Sequence, residues 1–230
     1  MEFLVNSLLQ ALSLVFRYDP EVYFAVWTSV KVSAASTLLA SIAGVPLGLL
    51  IALTRFRGKS ALQLLLNTLM ALPTVVIGLF FYAMLSRRGP FGAMALLFTP
   101  SAIIIGLFVL ALPTIVNLTI AAVQSLDKRL LPTCKLLGAT PAQQGLKILH
   151  EGRFGILAAV VIAFGRVISE VGIAMMLGGN IRGFTRTMTT AIALETGKGE
   201  FELGLALGIF LLAVAFLVNS MLFVLQRSKG

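Results

Sequence analysis

Five apolar runs occupy most of this chain, at residues 22–53, 61–85, 102–123, 154–177 and 201–225. Each is long enough to cross a hydrocarbon core of about 30 Å, which needs about 20 apolar residues as a helix. Lipid offers no hydrogen bonds to a bare backbone, so a helix, which satisfies its amides internally, is the form such runs take. The expected fold is therefore all-α and integral to a membrane, with about five transmembrane helices in a single domain over residues 1–230. Composition agrees: 58% hydrophobic and 12% charged residues exclude an ordinary soluble domain. No cleavable leader is expected, because Glu2 stands where a basic start would be.

The first run is too long for one straight crossing at about 1.5 Å per residue. It is expected to tilt, to extend beyond the membrane, or to bend at Gly44-Val45-Pro46-Leu47-Gly48. Ahead of it, Asn6, Gln10, Ser13 and Arg17 recur at helical spacing in an otherwise apolar segment, the pattern of a helix lying in the interface.

One long polar island, residues 126–154, separates the third run from the fourth. It carries Lys128, Arg129, Lys135, Lys147 and Arg153 against Asp127 and Glu151. Gly138 can end one helix in the left-handed conformation, and Thr140-Pro141-Ala142-Gln143 then matches a capping box with proline at the first helical position. Two short helices meeting at Gly138-Ala139 are expected, and the island reads as a docking element.

The net charge of +9 follows from topology rather than from nucleic-acid binding. Arg55, Arg57, Lys59, the five basic residues of the island, Arg227 and Lys229 make ten on one side of a five-span layout. Arg17, Arg87, Arg88, Arg182, Arg186 and Lys198 make six on the other. The richer side is cytoplasmic by the positive-inside rule, which places the N-terminus outside and the C-terminus inside.

Chemistry-bearing residues are few. Ala71-Leu72-Pro73-Thr74 and Ala111-Leu112-Pro113-Thr114 lie 40 positions apart, with both prolines mid-span. Each proline removes a donor, so kinks are expected, with backbone groups near Leu69 and Val109 needing other partners. Arg166 and Glu170 stand four residues apart on the fourth run. Either charge alone at mid-membrane costs about 2.5–3.5 kcal/mol on insertion scales, so an intramembrane ion pair is expected. His150 is the only histidine and Cys134 the only cysteine, which leaves no metal-ligand set and no intrachain disulfide. Lys31 is expected to snorkel to the interface. No nucleophile–base constellation is present, and Gly197-Lys198-Gly199 lacks the glycine and hydroxyl of a P-loop.

The island resembles the cytoplasmic loop of the membrane subunits of binding-protein-dependent ABC importers. Gly138 matches that family's central glycine and Ile148 its isoleucine, whereas Pro132-Thr133-Cys134 and His150-Glu151 depart from the pattern. A second stretch is more specific: Phe164-Gly165-Arg166, Ser169-Glu170-Val171-Gly172, Gly178-Gly179-Asn180-Ile181-Arg182-Gly183 and Thr185-Arg186-Thr187-Met188-Thr189-Thr190. It is similar to the oxyanion permeases for molybdate, tungstate and sulfate. With Ala193-Leu194-Glu195-Thr196 beyond it, it looks most similar to the tungstate branch.

The resemblance implies a type I ABC importer permease in the cytoplasmic (inner) membrane, working as a homodimer surrounded by lipid. An external oxyanion-binding protein would feed it, and a dimer of cytoplasmic ATPase subunits would bind the ATP, leaving no cofactor in this chain. ATPase coupling would fall on Leu137, Gly138, Ala139, Thr140, Pro141 and Gln144. A short re-entrant helix after Gly178-Gly179-Asn180 would offer Asn180, Thr185, Thr187, Thr189 and Thr190 as weak donors to a tetrahedral anion, with Pro73 and Pro113 hinging the path; close helix packing is the alternative role of these glycines and threonines. Arg182 and Arg186 would dock the binding protein or steer anions, and attracting the anion is the alternative to the structural pair for Arg166. Molybdate and sulfate are the alternative substrates. A proton-coupled secondary transporter, with Glu170 as its titratable group, is the alternative class.

Overall fold

The computed structural model describes residues 2–54 and 56–227, with the side chains of residues 2–6, 8, 222 and 225–227 excepted. Arg55 and Lys229 lie outside the described residues, as do the side chains of Asn6 and Arg227. The chain is helical in this order: α1 (Glu2–Phe16), α2 (Pro20–Leu53), α3 (Lys59–Met70), α4 (Thr74–Leu85), α5 (Pro100–Gln124), α6 (Leu130–Leu136), α7 (Pro141–Glu151), α8 (Arg153–Ile168), α9 (Gly172–Gly178), α10 (Met188–Lys198) and α11 (Phe201–Arg227).

Among the described residues, α2, α5 and α11 are long and apolar enough to cross a membrane as single helices. Two further pairs of helices are bent at short breaks. The pair α3 and α4 turns through 92° at Ala71-Leu72-Pro73, and α7 meets α8 at 68°. Because α7 carries Lys147, His150 and Glu151, the apolar crossing after it is α8 continued by α9. With α3–α4 and α8–α9 each taken as one element, the described residues offer up to five apolar spans by length and composition, in line with the expected five.

The spine is α2 packed on α5. Asp19 caps α2, its carboxylate accepting from the amides of Glu21 and Val22 at 2.9 and 3.2 Å, with Pro20 at the first position. The other end is closed by Lys59, whose Nζ donates to the carbonyls of Ala52 and Thr54, both at 3.1 Å. Between them α2 runs 34 residues, about 51 Å, without a break at Pro46. At Gly44–Gly48, where a bend is one of the expected alternatives, the helix is unbroken and crosses α5 closely. A Cβ on Gly48 would lie 2.7 Å from Thr119 Cβ, and one on Gly44 would lie 3.0 Å from Ile115 Cγ2. Ser29, Ser33, Ser36, Thr37 and Ala40 continue the buried stripe, so α2 presents small side chains along most of its length.

Around the spine lie two apolar cores. Ile103, Leu107, Leu110 and Ile115 of α5 pack with Ile173, Ala174 and Leu177 of α9 and with Ile77 of α4. Ala11 of α1 packs with Met188 and Ala191 of α10 and with Ala206 and Leu207 of α11. The helix expected at the N-terminus thus forms and lies against α11, where the Gln10 amide meets the Glu202 carboxylate. Leu212, Phe216, Leu217 and Phe223 of α11 point outward, as lipid contact requires.

The two mid-span prolines behave differently. Pro113 sits inside a continuous α5, whereas Pro73 separates α3 from α4. An apolar crevice of about 860 Å³ between α2, α3 and α5 is lined by Leu72, Val109 and Pro113, so the two sites face one space.

Candidate functional site

The polar island folds as a hairpin. Gly138 has φ +74°, the left-handed conformation that ends α6, and the amides of Gly138 and Ala139 donate to the carbonyls of Lys135 and Cys134 at 3.0 Å. The capping box of α7 is complete: Thr140 Oγ1 accepts from the Gln143 amide at 3.4 Å, and Gln143 Oε1 accepts from the Thr140 amide at 2.8 Å. Gln144 Nε2 adds a bond to the Ala139 carbonyl at 2.8 Å. This tight turn holds Leu136, Leu137 and Leu146 outward, at 88%, 81% and 68% exposure, while Ile148 is buried. Basic residues flank the apolar tip. Lys147 binds Glu151 at 2.7 Å and, by that hydrogen bond and its charge, holds the Glu151 carboxyl below its ordinary pKa. Arg153 Nη1 meets His150 Nε2 at 2.7 Å and stacks its guanidinium over Phe154.

A second polar site lies where the two broken crossings meet. Met70 is the last residue of α3, and the break at Pro73 leaves its carbonyl without a helical donor. Arg166 Nη2 supplies one at 2.8 Å. Asn117 of α5 reaches the same turn, its Nδ2 lying 3.1 Å from Asn67 Oδ1 and 3.0 Å from Met70 Sδ. On the facing element, α8 ends at Ile168 and α9 starts at Gly172. Glu170 Oε1 caps that start, accepting from the amides of Gly172 and Ile173 at 2.9 and 3.3 Å. A Cβ on Gly172 would lie 3.3 Å from Thr74 Oγ1, so the first turns of α4 and α9 face each other.

The ion pair expected between Arg166 and Glu170 is therefore not formed. Each side chain satisfies main-chain groups released by a helix break: Arg166 the C-terminal carbonyl of α3, Glu170 the N-terminal amides of α9. Such groups would cost several kcal/mol unpaired in an apolar surround, so they outcompete a pair that helical spacing alone would permit. The kink expected to free a carbonyl near Leu69 frees the neighbouring one, since Leu69 O accepts from Leu72 N at 3.4 Å.

The threonine-rich segment packs internally in this conformation, the second of the two roles its residues offered. A short helix, α10, does follow it. Thr185, Thr187, Thr189 and Thr190 are each at most 5% exposed. Thr185 Oγ1 donates to the Gly178 carbonyl and accepts from the Ile181 amide. Thr187 and Thr190 form a reciprocal capping box on α10, and Thr189 Oγ1 donates to the Glu170 carbonyl at 2.8 Å. Asn180 Nδ2 donates to the Thr190 carbonyl at 3.3 Å, and its Oδ1 is buried without a partner among the described residues. In this conformation the hydroxyls build a turn that locks α9, α10 and the Glu170 corner together. Ser29 of α2 accepts the Met188 amide at 2.7 Å and ties that turn to the spine.

Beside the turn runs an ion network. Arg186 pairs with Glu21 and lies 3.6 Å from Glu195, Arg182 pairs with Glu21 at 2.6 Å, and Lys198 reaches Glu195 at 3.2 Å. Arg186 and Glu195 are 8% and 2% exposed, so this network joins α2, the turn and α10 from inside. Sequence reading missed the acidic partners and the Asn67–Asn117 pair. Lone asparagines inside apolar runs were the available signal, since polar side chains at membrane depth seek partners.

Residues 44–229 match the family model described as binding-protein-dependent transport system inner membrane component. The tungstate uptake system permease protein TupB of Campylobacter jejuni is 39% identical over 228 residues, 99% of this chain and 95% of that one. A probable anion ABC transporter permease protein of Haloferax volcanii is 42% identical over 198 residues, 84% of this chain and 85% of its own. The molybdenum transport system permease protein ModB of Azotobacter vinelandii is 25% identical over 214 residues, 90% and 95% of the two chains. Among solved structures, a chain of the inward-facing MetNI methionine ABC transporter shares the fold, with a TM-score of 0.74 at 20% identity over 92% of this chain and 99% of that one.

Proposed function

The chain belongs to the inner membrane components of binding-protein-dependent transport systems, and from that premise we propose that it is the permease of an ATP-driven importer of tungstate. Molybdate comes second and sulfate third, being tetrahedral dianions of the same class. The carrying observation is the likeness to a tungstate permease over nearly the whole of both chains. The more distant likeness to a molybdenum permease supports the order.

Two copies would form the path, with an external binding protein delivering the anion to the surface that carries Arg182. The hairpin α6–α7 would be the contact with a separate ATPase subunit. Its exposed leucines suit an apolar cleft, its caps keep it rigid enough to transmit force, and Ile148 roots it in the membrane domain. Residues Leu137, Gly138, Ala139, Thr140, Pro141 and Gln144 form that tip. ATP would be bound by the partner and no cofactor by this chain, the N-terminus lying outside and the C-terminus inside. Closure of the ATPase would draw the two hairpins together and reorient the path toward the loaded binding protein.

The test is reconstitution of the permease with its ATPase and binding protein in proteoliposomes. Tungstate-loaded binding protein should stimulate ATP hydrolysis and tungstate uptake more than the molybdate-loaded form. Uptake that persists without the ATPase and collapses with a proton gradient would overturn the reading.

A further inference from the structure

Charge at the junction of the two broken crossings is unevenly compensated. The Glu170 carboxylate accepts from two amides at the N-terminus of α9, a helix end that itself favours negative charge. Among the described residues Arg166 has no carboxylate partner: one N–H donates to the Met70 carbonyl, and its remaining N–H groups meet no acceptor there. The guanidinium is half-buried, so it is partly drawn out of solvent without being enclosed. Three residues before Met70, on the same face of α3, Asn67 is exposed. Its Oδ1 is taken by Asn117, which leaves its Nδ2 a donor with no acceptor among the described residues.

We infer that Arg166 and Asn67 form the transit contact for the oxyanion, the guanidinium supplying charge and the amide a neutral donor. The inference rests on the importer reading above and names the residues of its path, in place of the threonines that the fold uses internally. Chemically the set suits passage. A single cation, one of whose N–H groups is already engaged by the Met70 carbonyl, attracts a dianion without trapping it. Free N–H groups of a planar guanidinium match two oxygens of a tetrahedral anion. Asn117 and Met70 act as positioning residues, fixing the amide flip and the guanidinium.

The experiment uses the whole importer in proteoliposomes and reads uptake of tungstate alongside ATP hydrolysis stimulated by loaded binding protein. Asn67→Asp leaves Asn117 an acceptor and sets a negative charge beside the passing dianion. We expect uptake to fall about tenfold or more, as like-charge juxtaposition requires, with hydrolysis kept within about twofold. Arg166→Gln should fall likewise, and Arg166→Lys should recover part of the loss. Normal uptake by inserted Asn67→Asp overturns the inference, as does a parallel loss of stimulated hydrolysis, which would place the defect in coupling. Should Arg166→Gln fail to insert, Asn67→Asp decides alone. Failure of the importer reading itself looks different: the wild-type complex would then show no stimulated hydrolysis and no uptake.

Discussion

Arg166 of α8 donates to the main-chain carbonyl of Met70, 96 positions earlier in the chain, at 2.8 Å. Glu170, one turn further along, turns away from it to cap α9. A double-mutant cycle of Arg166→Ala and Glu170→Ala should therefore give a coupling energy within about 0.5 kcal/mol of zero. Glu170→Ala alone should cost about 1–2 kcal/mol as a lost cap, and Glu170→Gln less, because its carbonyl still accepts. Unfolding in detergent monitored by circular dichroism reads all of these, and a coupling of several kcal/mol would restore the ion pair.

Gly48 touches Thr119 so closely that Gly48→Ala should destabilise by about 1–3 kcal/mol through overpacking. Gly208→Ala on α11, where a Cβ would meet nothing within 4 Å, should be neutral or slightly stabilising, by about 0.5–1 kcal/mol of helix propensity. Thermal unfolding of the two variants under the same conditions compares them directly. Equal stabilities would show that the spine is looser than described.

Removing Glu21 strands Arg186, which is 8% exposed and keeps only Glu195 at 3.6 Å. Glu21→Gln should cost about 3–5 kcal/mol, the penalty of breaking a buried pair, lessened by Glu195. Arg182→Gln should cost about 0–1 kcal/mol, since that side chain is 73% exposed. The ordering is readable from yield and thermal unfolding, and an Arg182 effect equal to that of Glu21 would contradict it.

At the hairpin, Leu137→Asp should leave permease stability within about 0.5 kcal/mol, as expected of an exposed position, yet abolish co-purification of the ATPase. Gly138→Glu should also insert, since nothing lies within 4 Å of its Cβ and only the left-handed backbone, about 1–2 kcal/mol, opposes it. Uptake should nevertheless be lost. Normal transport by either variant would remove the hairpin from the coupling pathway.

What was legible in the sequence is what local spacing controls. The apolar runs located all five crossings, and Gly138 with Thr140 and Gln143 encoded the hairpin turn, because each signal lies within a few residues of its effect. The breaks were half legible: Pro73 ends a helix and Pro113, with the same flanks, does not, since α5 is enclosed on several sides and α3 has no buried residue to hold it straight. Arg166 and Glu170 had the spacing of a pair, but the competing carbonyl belongs to another helix. The threonines offered two roles, anion donors or packing groups, for the same reason. Their acceptors at Gly178 and Glu170 come into reach only once the chain turns back on itself.

The glycine and hydroxyl contact of α2 with α5 has a mechanical corollary. Helices that touch through such short side chains have few rotamers with which to slide, so this pair serves as the stator of the subunit. Motion then falls to the elbows on either flank, where single side chains, Arg166 and Glu170, stand in for missing backbone bonds and can let go one at a time.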